Sequence, residues 1–335
     1  MGGGPVIVLV LSFVLAAGSA GAHGVNETPS PQSETTTTRT GSSWLQVWPS
    51  AIAALRTRIE EQDGFRVFEA DGLPDHSTGS FPNRGNPNRI QNQNYRLRVP
   101  LQPQKGAQIT QLPRGPFGIA LNGVMFDPAT AEFWRNDPRS GWNYDALSGH
   151  IDLGIDRNNA HVQPTGAYHY HGIPAGLLER VARPGQPALL GYAADGFPIY
   201  GPKGYRAATD AASPLVDLRP GWRLRQGTRP SGPGGAYTGT YVEDFEYVAG
   251  HGDLDSCNGR DGVTPEYPNG TYHYVVTAAF PFVPRCFTGT PHASFRQGPP
   301  HTRGGPPGGG PGAGPPGGPP GGGPPPERYP PPGRF

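Results

Sequence analysis

Sulfur-containing residues are scarce in this 335-residue sequence, which has two cysteines and two methionines. The two cysteines, Cys257 and Cys286, lie too far apart for the Cys-x-x-Cys spacing of a thiolate zinc site. Met125 is the only methionine beyond the first residue, which argues against a methionine-rich Cu(I) carrier. If the chain is exported, an even pair of cysteines indicates a Cys257–Cys286 disulfide, and two buried free thiols are the alternative.

Three common catalytic signatures are also missing from the sequence. It has no G-x-S-x-G, no H-E-x-x-H and no glycine-rich phosphate loop after a strand, which argues against the hydrolases and nucleotide enzymes that carry them. The formal net charge is only +1, so nothing in the charge balance indicates a nucleic-acid partner and we expect none.

Long hydrophobic runs are confined to the amino terminus. Residues 6–15 are apolar and residues 20–22 fit a small-x-small cleavage site, so residues 1–22 are predicted to be a signal peptide of a secreted or periplasmic protein. No later run is long enough to cross a membrane, and we expect no transmembrane segment. Residues 23–43 are predicted to be a flexible leader because they are rich in Ser, Thr, Pro and Gln.

Proline and glycine are abundant, with 43 and 52 residues, and they dominate the carboxyl end. Residues 298–335 are predicted to be a disordered tail, which can associate with a cell surface or matrix. Residues 44–62 are the best helix candidate, because Ser50 can cap a helix that places Ile52, Leu55 and Ile59 on one face. From residue 63 onward, short apolar segments separated by turns predict a mainly β fold, as a sandwich or distorted barrel of short strands.

Three histidines lie within eleven positions in the centre of the chain. His169 and His171 alternate with Tyr168 and Tyr170, so in a strand both imidazoles would share one face and both tyrosines the other. A Pro-Thr-Gly turn precedes them and could bring His161 back beside the pair. Neutral imidazole is the commonest protein ligand for transition metals, so the pattern predicts a copper or zinc site. The alternative is an amphipathic strand with packed tyrosines and solvated histidines.

Several segments of the chain resemble the YHYH-domain family of secreted or periplasmic proteins, whose activity is largely uncharacterised. The resemblance covers roughly residues 65–291 and rests on six segments: Tyr168–His171, Gly72–Gly79, Phe81–Asn88, Asn122–Pro128, Gly191–Gly201 and Leu254–Arg260. It implies a fold unit over residues 63–297 and a location outside the cytoplasm, but no particular activity. Because His76 lies in one of these segments, the resemblance makes it a candidate fourth ligand, or a residue that supports the ligands from behind.

Two further residues are candidates for the same site. Residues 270–277 repeat the pattern of a histidine between two tyrosines, and His273 could therefore face the same pocket. Asp195 precedes a glycine in a predicted turn between two strands. It is either a turn former or a carboxylate that orients a ligand histidine through its second ring nitrogen.

A second kind of metal site is suggested by Asp253, Asp255 and Asn258. Their spaced oxygens resemble a Ca²⁺ loop, although the Asn-Gly pair falls one position late for that motif. A rigid turn held by side chain to backbone hydrogen bonds is the alternative.

Three functions are consistent with these patterns. The first is a secreted domain that binds copper or zinc through the histidines. The second is an extracellular metalloenzyme, redox or hydrolytic, that uses the same residues. The third is a module without metal, in which histidines and tyrosines line a pocket for a small ligand or glycan.

Overall fold

The computed structural model describes residues 57–112 and 114–296. The predicted signal peptide, the leader, residues 44–56 of the predicted helix and the tail from residue 298 lie outside the described residues. Within the described part, the chain forms seventeen strands, one α-helix and four short 3₁₀ helices.

The strands are β1 (Thr57–Gln62), β2 (Phe65–Ala70), β3 (Tyr95–Pro100), β4 (Thr110–Gln111), β5 (Gly118–Ala120), β6 (Met125–Phe126), β7 (Ala160–Val162), β8 (Tyr168–Tyr170), β9 (Leu189–Ala193), β10 (Pro198–Tyr200), β11 (Lys203–Tyr205), β12 (Leu215–Asp217), β13 (Trp222–Leu224), β14 (Phe245–Tyr247), β15 (Gly259–Gly262), β16 (Thr271–Val275) and β17 (Cys286–Phe287). The helix is α1 (Ala175–Val181), and the 3₁₀ turns are Trp134–Asn136, Pro138–Ser140, Val242–Asp244 and Ala293–Phe295.

Most of these strands belong to two open sheets. One has three antiparallel strands in the order β1-β2-β3, and the other has eight in the order β15-β16-β10-β9-β5-β6-β8-β7. Three further pairs are small: β11 with β12, β13 with β14, and β17 with β4. The prediction of a mainly β fold is confirmed, and the described strands do not close into a barrel.

The two larger sheets share one hydrophobic core. Phe68 of β2 and Leu97 and Val99 of β3 are buried in the same cluster as Ile119 of β5 and Phe126 of β6. Two sheets that bury their facing side chains together are closer to the predicted sandwich than to the predicted barrel.

The described end of the predicted helix at residues 44–62 is a strand, so that part of the prediction is wrong. β1 pairs with β2 along its full length, and the turn between them is Asp63-Gly64, with φ of 51° and 77°. Two positive φ values are what a two-residue hairpin turn requires, and Asp-Gly supplies them. Nearly all of β1 is exposed, including Ile59, so there is no buried helical face for the apolar spacing to serve.

The eight-stranded sheet has two halves of the same design. Reading outward from the centre, one half is β5-β6-β8-β7 and the other is β9-β10-β16-β15. In each half the first two strands form an antiparallel hairpin, the second strand pairs in parallel with the third, and the third and fourth are antiparallel.

The two halves meet at the antiparallel pair β5–β9, and this junction is symmetric. Leu121 N donates to Leu190 O at 2.8 Å, and Ala194 N donates to Phe117 O at 2.9 Å. Because residues 117 and 121 are the counterparts of residues 190 and 194, these two bonds exchange under a local two-fold axis. The eight-stranded sheet is therefore an internal structural repeat.

Two other features complete the description. Cys257 and Cys286 form a disulfide, as predicted. Among the described residues, no helix has the length and apolar character needed to cross a membrane.

Candidate metal centre

The antiparallel hairpin of β7 and β8 positions the three central histidines. His161 of β7 lies directly opposite His169 of β8, and His171 follows two positions later. The turn between the strands depends on Gly166, which has a φ of 85° and donates its N–H to the Gln163 carbonyl at 2.8 Å. After β8, His171 N donates to the Asn159 carbonyl at 2.7 Å, which keeps His171 on the same side as His169.

The three imidazoles form one compact group, which we call the histidine cluster. Their ring centroids lie 4.6–4.8 Å apart in every pair. One potential ligand atom from each ring lies within 4.8 Å of the other two. The Nε2 atoms of His161 and His171 are 3.1 Å apart. Two nitrogens bound to the same tetrahedral zinc at about 2.0–2.1 Å would stand roughly 3.3 Å apart, so the observed spacing is that of ligands around a shared point.

Backbone carbonyls orient two of the rings. Nδ1 of His161 contacts the Leu153 carbonyl at 2.8 Å, and Nδ1 of His169 contacts the Ala167 carbonyl at 3.2 Å. A carbonyl can only accept, so each Nδ1 carries the proton and each Nε2 keeps its lone pair for a metal. The buried Nδ1 of His171 has no hydrogen-bond partner. The Pro128 carbonyl lies near this ring and acts to raise its pKa, against the larger effect of burial.

Burial keeps the cluster uncharged. His169 and His171 are each 2% exposed, and burial lowers the pKa of His169 to about 3. Burial also lowers the pKa of His171 well below its ordinary value, with a further decrease from the neighbouring histidines. The pKa of the partly exposed His161 is lowered by the same cause. Three neutral imidazoles are in the protonation state that a transition metal requires.

The tyrosines of the motif lie on the opposite face of β8, as the alternation predicted. Tyr168 donates to Asp156 at 2.7 Å, and the Tyr170 hydroxyl accepts from the Asn122 amide at 2.9 Å. His76 is also on this face, where its Nε2 lies 2.6 Å from the Tyr170 hydroxyl and its ring stacks on Tyr170. The structure therefore places His76 with the tyrosines and not with the histidine cluster.

His273 lies in the other half of the sheet, so the expectation that it faces the same pocket is wrong. It is on β16, five strand positions from β8. At about 4.8 Å per strand this is roughly 24 Å, too far for a shared ion. Within its own half, His273 is the counterpart of His169, since it lies opposite Arg260 as His169 lies opposite His161.

Asp195 does not contact the cluster either. It is buried at the turn between β9 and β10, where it accepts hydrogen bonds from the Tyr274 hydroxyl at 2.6 Å and from Gly289 N at 3.0 Å. Its counterpart in the first half is Asn122, which bonds to Tyr170. The role predicted for a carboxylate beside the ligand histidines is filled by the carbonyls of Leu153 and Ala167.

In the segment considered for Ca²⁺, the two carboxylates accept hydrogen bonds from within the fold, whereas the buried Oδ1 of Asn258 has no hydrogen-bond partner. Asp255 accepts from the backbone N–H groups of Cys257 and Gly259, and Asp253 accepts from Arg219 N. The Asn258 amide donates to the Val275 carbonyl at 2.8 Å. These are the hydrogen bonds of a rigid turn, the alternative named for this segment.

Two charged residues beside the cluster were not singled out from the sequence. Asp127 follows β6, is buried, and has its pKa raised to about 6 by that burial. Arg285 is mostly buried, donates to Asp145 at 2.8 Å, and lowers the pKa of His171 by its charge. Asp127 lies within the family-like segment 122–128, which was a signal for it. Arg285 reaches the site only through the tertiary fold, and no local pattern marks it.

The fold and this site together define a mainly β protein with a buried three-histidine pocket on a duplicated sheet. The YHYH protein family matches the chain over residues 96–289, which is more than half of its length. The chain belongs to this family. Comparisons with curated proteins and with solved structures found no significant match.

Proposed function

We propose that this protein is a secreted metal-binding protein that holds one copper or zinc ion on His161, His169 and His171. The observation that carries the proposal is the convergence of three imidazoles, two of them buried and the third partly buried, whose ligand atoms lie within 4.8 Å of one another. Three neutral nitrogens suit either metal.

The surroundings of the cluster support a resident ion. The Nε2 atoms of His161 and His171 face each other at 3.1 Å, which is close enough for one neutral ring to donate to the other and also close enough for both to bind one ion. A cation would satisfy the facing lone pairs, and the carbonyls behind His161 and His169 would hold the rings in place. Three protein ligands leave one position of a tetrahedral ion open to water or another molecule, which is also compatible with a metalloenzyme.

Secretion is the second component of the proposal. Its support is the apolar segment at residues 6–15, which precedes the described part of the chain, and the Cys257–Cys286 disulfide. Disulfides of this kind form in oxidising compartments outside the cytoplasm.

The test is elemental analysis of the full chain, produced without a His-tag in cells that export it. We expect about one equivalent of copper or zinc per chain, and none in a His169→Ala/His171→Ala variant. The matched control is His273→Ala, which removes a buried histidine from the equivalent position of the other half and should leave the metal in place.

Circular dichroism would establish that each variant is folded. A folded wild-type protein that contains no metal, and takes up none on dialysis against Cu²⁺ or Zn²⁺, would refute the proposal. Retention of metal by the His169→Ala/His171→Ala variant would place the ion elsewhere.

A further inference from the structure

A cavity of about 730 Å³ lies beside the histidine cluster. Its walls come from β3, β4, β6, β8, β17 and the last 3₁₀ turn. Pockets for small organic ligands have volumes of about 300–1,000 Å³, so this one is of the right size.

The inner part of the cavity is mostly apolar. Its buried lining includes Leu97, Met125, Phe287 and Phe295, and His169 forms part of the same wall. A buried wall of aliphatic and aromatic side chains favours a ligand with a hydrophobic body.

The outer part is positively charged. Arg96, Arg114 and Arg296 line the cavity and are exposed, so they lie towards its mouth, whereas Asp127 is the only acidic residue in the lining. Arg114 and Arg296 form no ion pair with any described residue. Arg96 forms an ion pair with Glu69, in which Nε lies 3.4 Å from Oε1. The Asp127 carboxylate accepts a hydrogen bond at 3.2 Å from Gln163, another residue of the cavity wall.

From this arrangement we propose that the cavity binds an amphipathic organic anion, with its carboxylate at the arginines and its apolar body against Met125 and Phe287. Guanidinium groups bind carboxylates through charge-assisted hydrogen bonds, and two of the three here form no ion pair with any acidic residue in the described ranges, although Arg114 lies 6.0 Å from the ring of Phe133. The bound molecule would contact His169, which packs against both other rings of the histidine cluster. The binding itself does not depend on a metal.

The chain contains a built-in reporter for this site. Met125 is the only methionine beyond residue 1, and it lines the cavity. Selective ¹³C labelling of methionine methyl groups in the full chain therefore gives one resonance that reports on the cavity. Decanoate is a suitable probe, and decylamine is its cationic counterpart of equal chain length.

In metal-free protein, we expect decanoate to shift the Met125 resonance saturably with one site per chain, and decylamine to leave it unchanged. An Arg114→Gln/Arg296→Gln variant should bind decanoate about tenfold or more weakly, because two charged donors are lost. An Arg183→Gln/Arg206→Gln variant is the matched control, since both arginines are exposed and unpaired in the described structure but lie outside the cavity lining.

Equal binding of decylamine, or unchanged affinity in the Arg114→Gln/Arg296→Gln variant, would overturn the assignment of an anion. An unmoved Met125 resonance at millimolar decanoate would overturn the site itself. Because the experiment is done without metal, these outcomes are separate from success or failure of the metal proposal.

Discussion

His169 and His273 occupy the same place in the two halves of the eight-stranded sheet, yet their neighbours differ. His169 lies opposite another imidazole, and His171 follows it. His273 lies opposite Arg260. Burial is the main cause of the lowered pKa of His273, and the positive charge of Arg260 lowers it further and would repel a cation. The same tripeptide of tyrosine, histidine and tyrosine therefore contributes to a histidine cluster in one half and provides a packed, neutral side chain in the other.

The pKa of His273 makes a prediction about stability. Burial lowers this pKa to about 4, from about 6.5 in an unfolded chain. Between these values the unfolded state binds more protons at this position, so stability decreases as the pH falls from about 6.5 towards 4. Chelator-treated wild type should therefore lose up to about 3 kcal/mol more than a His273→Gln variant over this range.

Urea unfolding at a series of pH values would measure this difference. Comparison of the two proteins cancels the contributions of the other titrating groups. Parallel pH profiles for wild type and variant would show that His273 binds a proton as readily in the folded state as in the unfolded state, which would contradict the prediction.

At the scale of elements, the alternation of the motif was sufficient to predict the faces of β8. The separation of Tyr168 and Tyr170 from His169 and His171 follows from the two-residue period of a strand, and the structure confirms it. The return of His161 to the pair followed from the turn chemistry before Gly166. The placement of His273 could not be predicted, because a short local pattern does not show which strands become neighbours.

The helix prediction over residues 44–62 failed at its described end for a related reason. Ile52, Leu55 and Ile59 have helical spacing, but residues 57–62 pair with β2 and are largely exposed. The Asp63-Gly64 pair was the stronger local signal, since it specifies a hairpin turn. The turn residues Asp63 and Gly64 determined that residues 57–62 form a strand, and the helical spacing of the apolar residues did not.

The equivalence of the two hairpins predicts that a second metal site can be built. Arg260, His273 and Val275 occupy the positions of His161, His169 and His171, and β15 and β16 pair in the corresponding register. An Arg260→His/Val275→His variant should therefore bind two equivalents of Zn²⁺ or Co²⁺ where wild type binds one. The added imidazoles would face His273 just as those of the first half face His169.

An Arg260→Gln/Val275→Ala variant is the control, because it removes the same side chains without supplying ligands. Metal titration followed by Co²⁺ absorption would count the sites. A folded Arg260→His/Val275→His variant that still binds one equivalent would show that strand register alone does not create the site.

At the scale of the whole molecule, the two halves are fastened to the rest of the chain by different means. In the second half, Cys257 in the turn before β15 is bonded to Cys286 of β17. Its counterpart in the first half is Asn158, whose amide donates to the Ser77 carbonyl at 2.9 Å and accepts from Gly176 N at 2.9 Å. One turn is held covalently and the other by hydrogen bonds.

This difference predicts that loss of the disulfide will lower stability without removing the metal. A Cys257→Ala/Cys286→Ala variant should unfold at a free energy lower by roughly 3–4 kcal/mol, the chain-entropy value for a loop of this length. Its metal content should remain at one equivalent, since the ligands lie in the other half. Denaturant unfolding and elemental analysis of the same preparation would check both statements, and loss of metal in the folded variant would contradict the second.

The symmetric β5–β9 junction has a consequence for the history of the protein. Two identical chains that associate about a dyad present the same strand to each other, which is the arrangement found between the two halves. We infer that a gene encoding one four-stranded half of this sheet was duplicated and fused. A sequence profile built across the family from residues 117–171 should then detect residues 190–275, and the ancestral molecule would have been a homodimer joined along this strand.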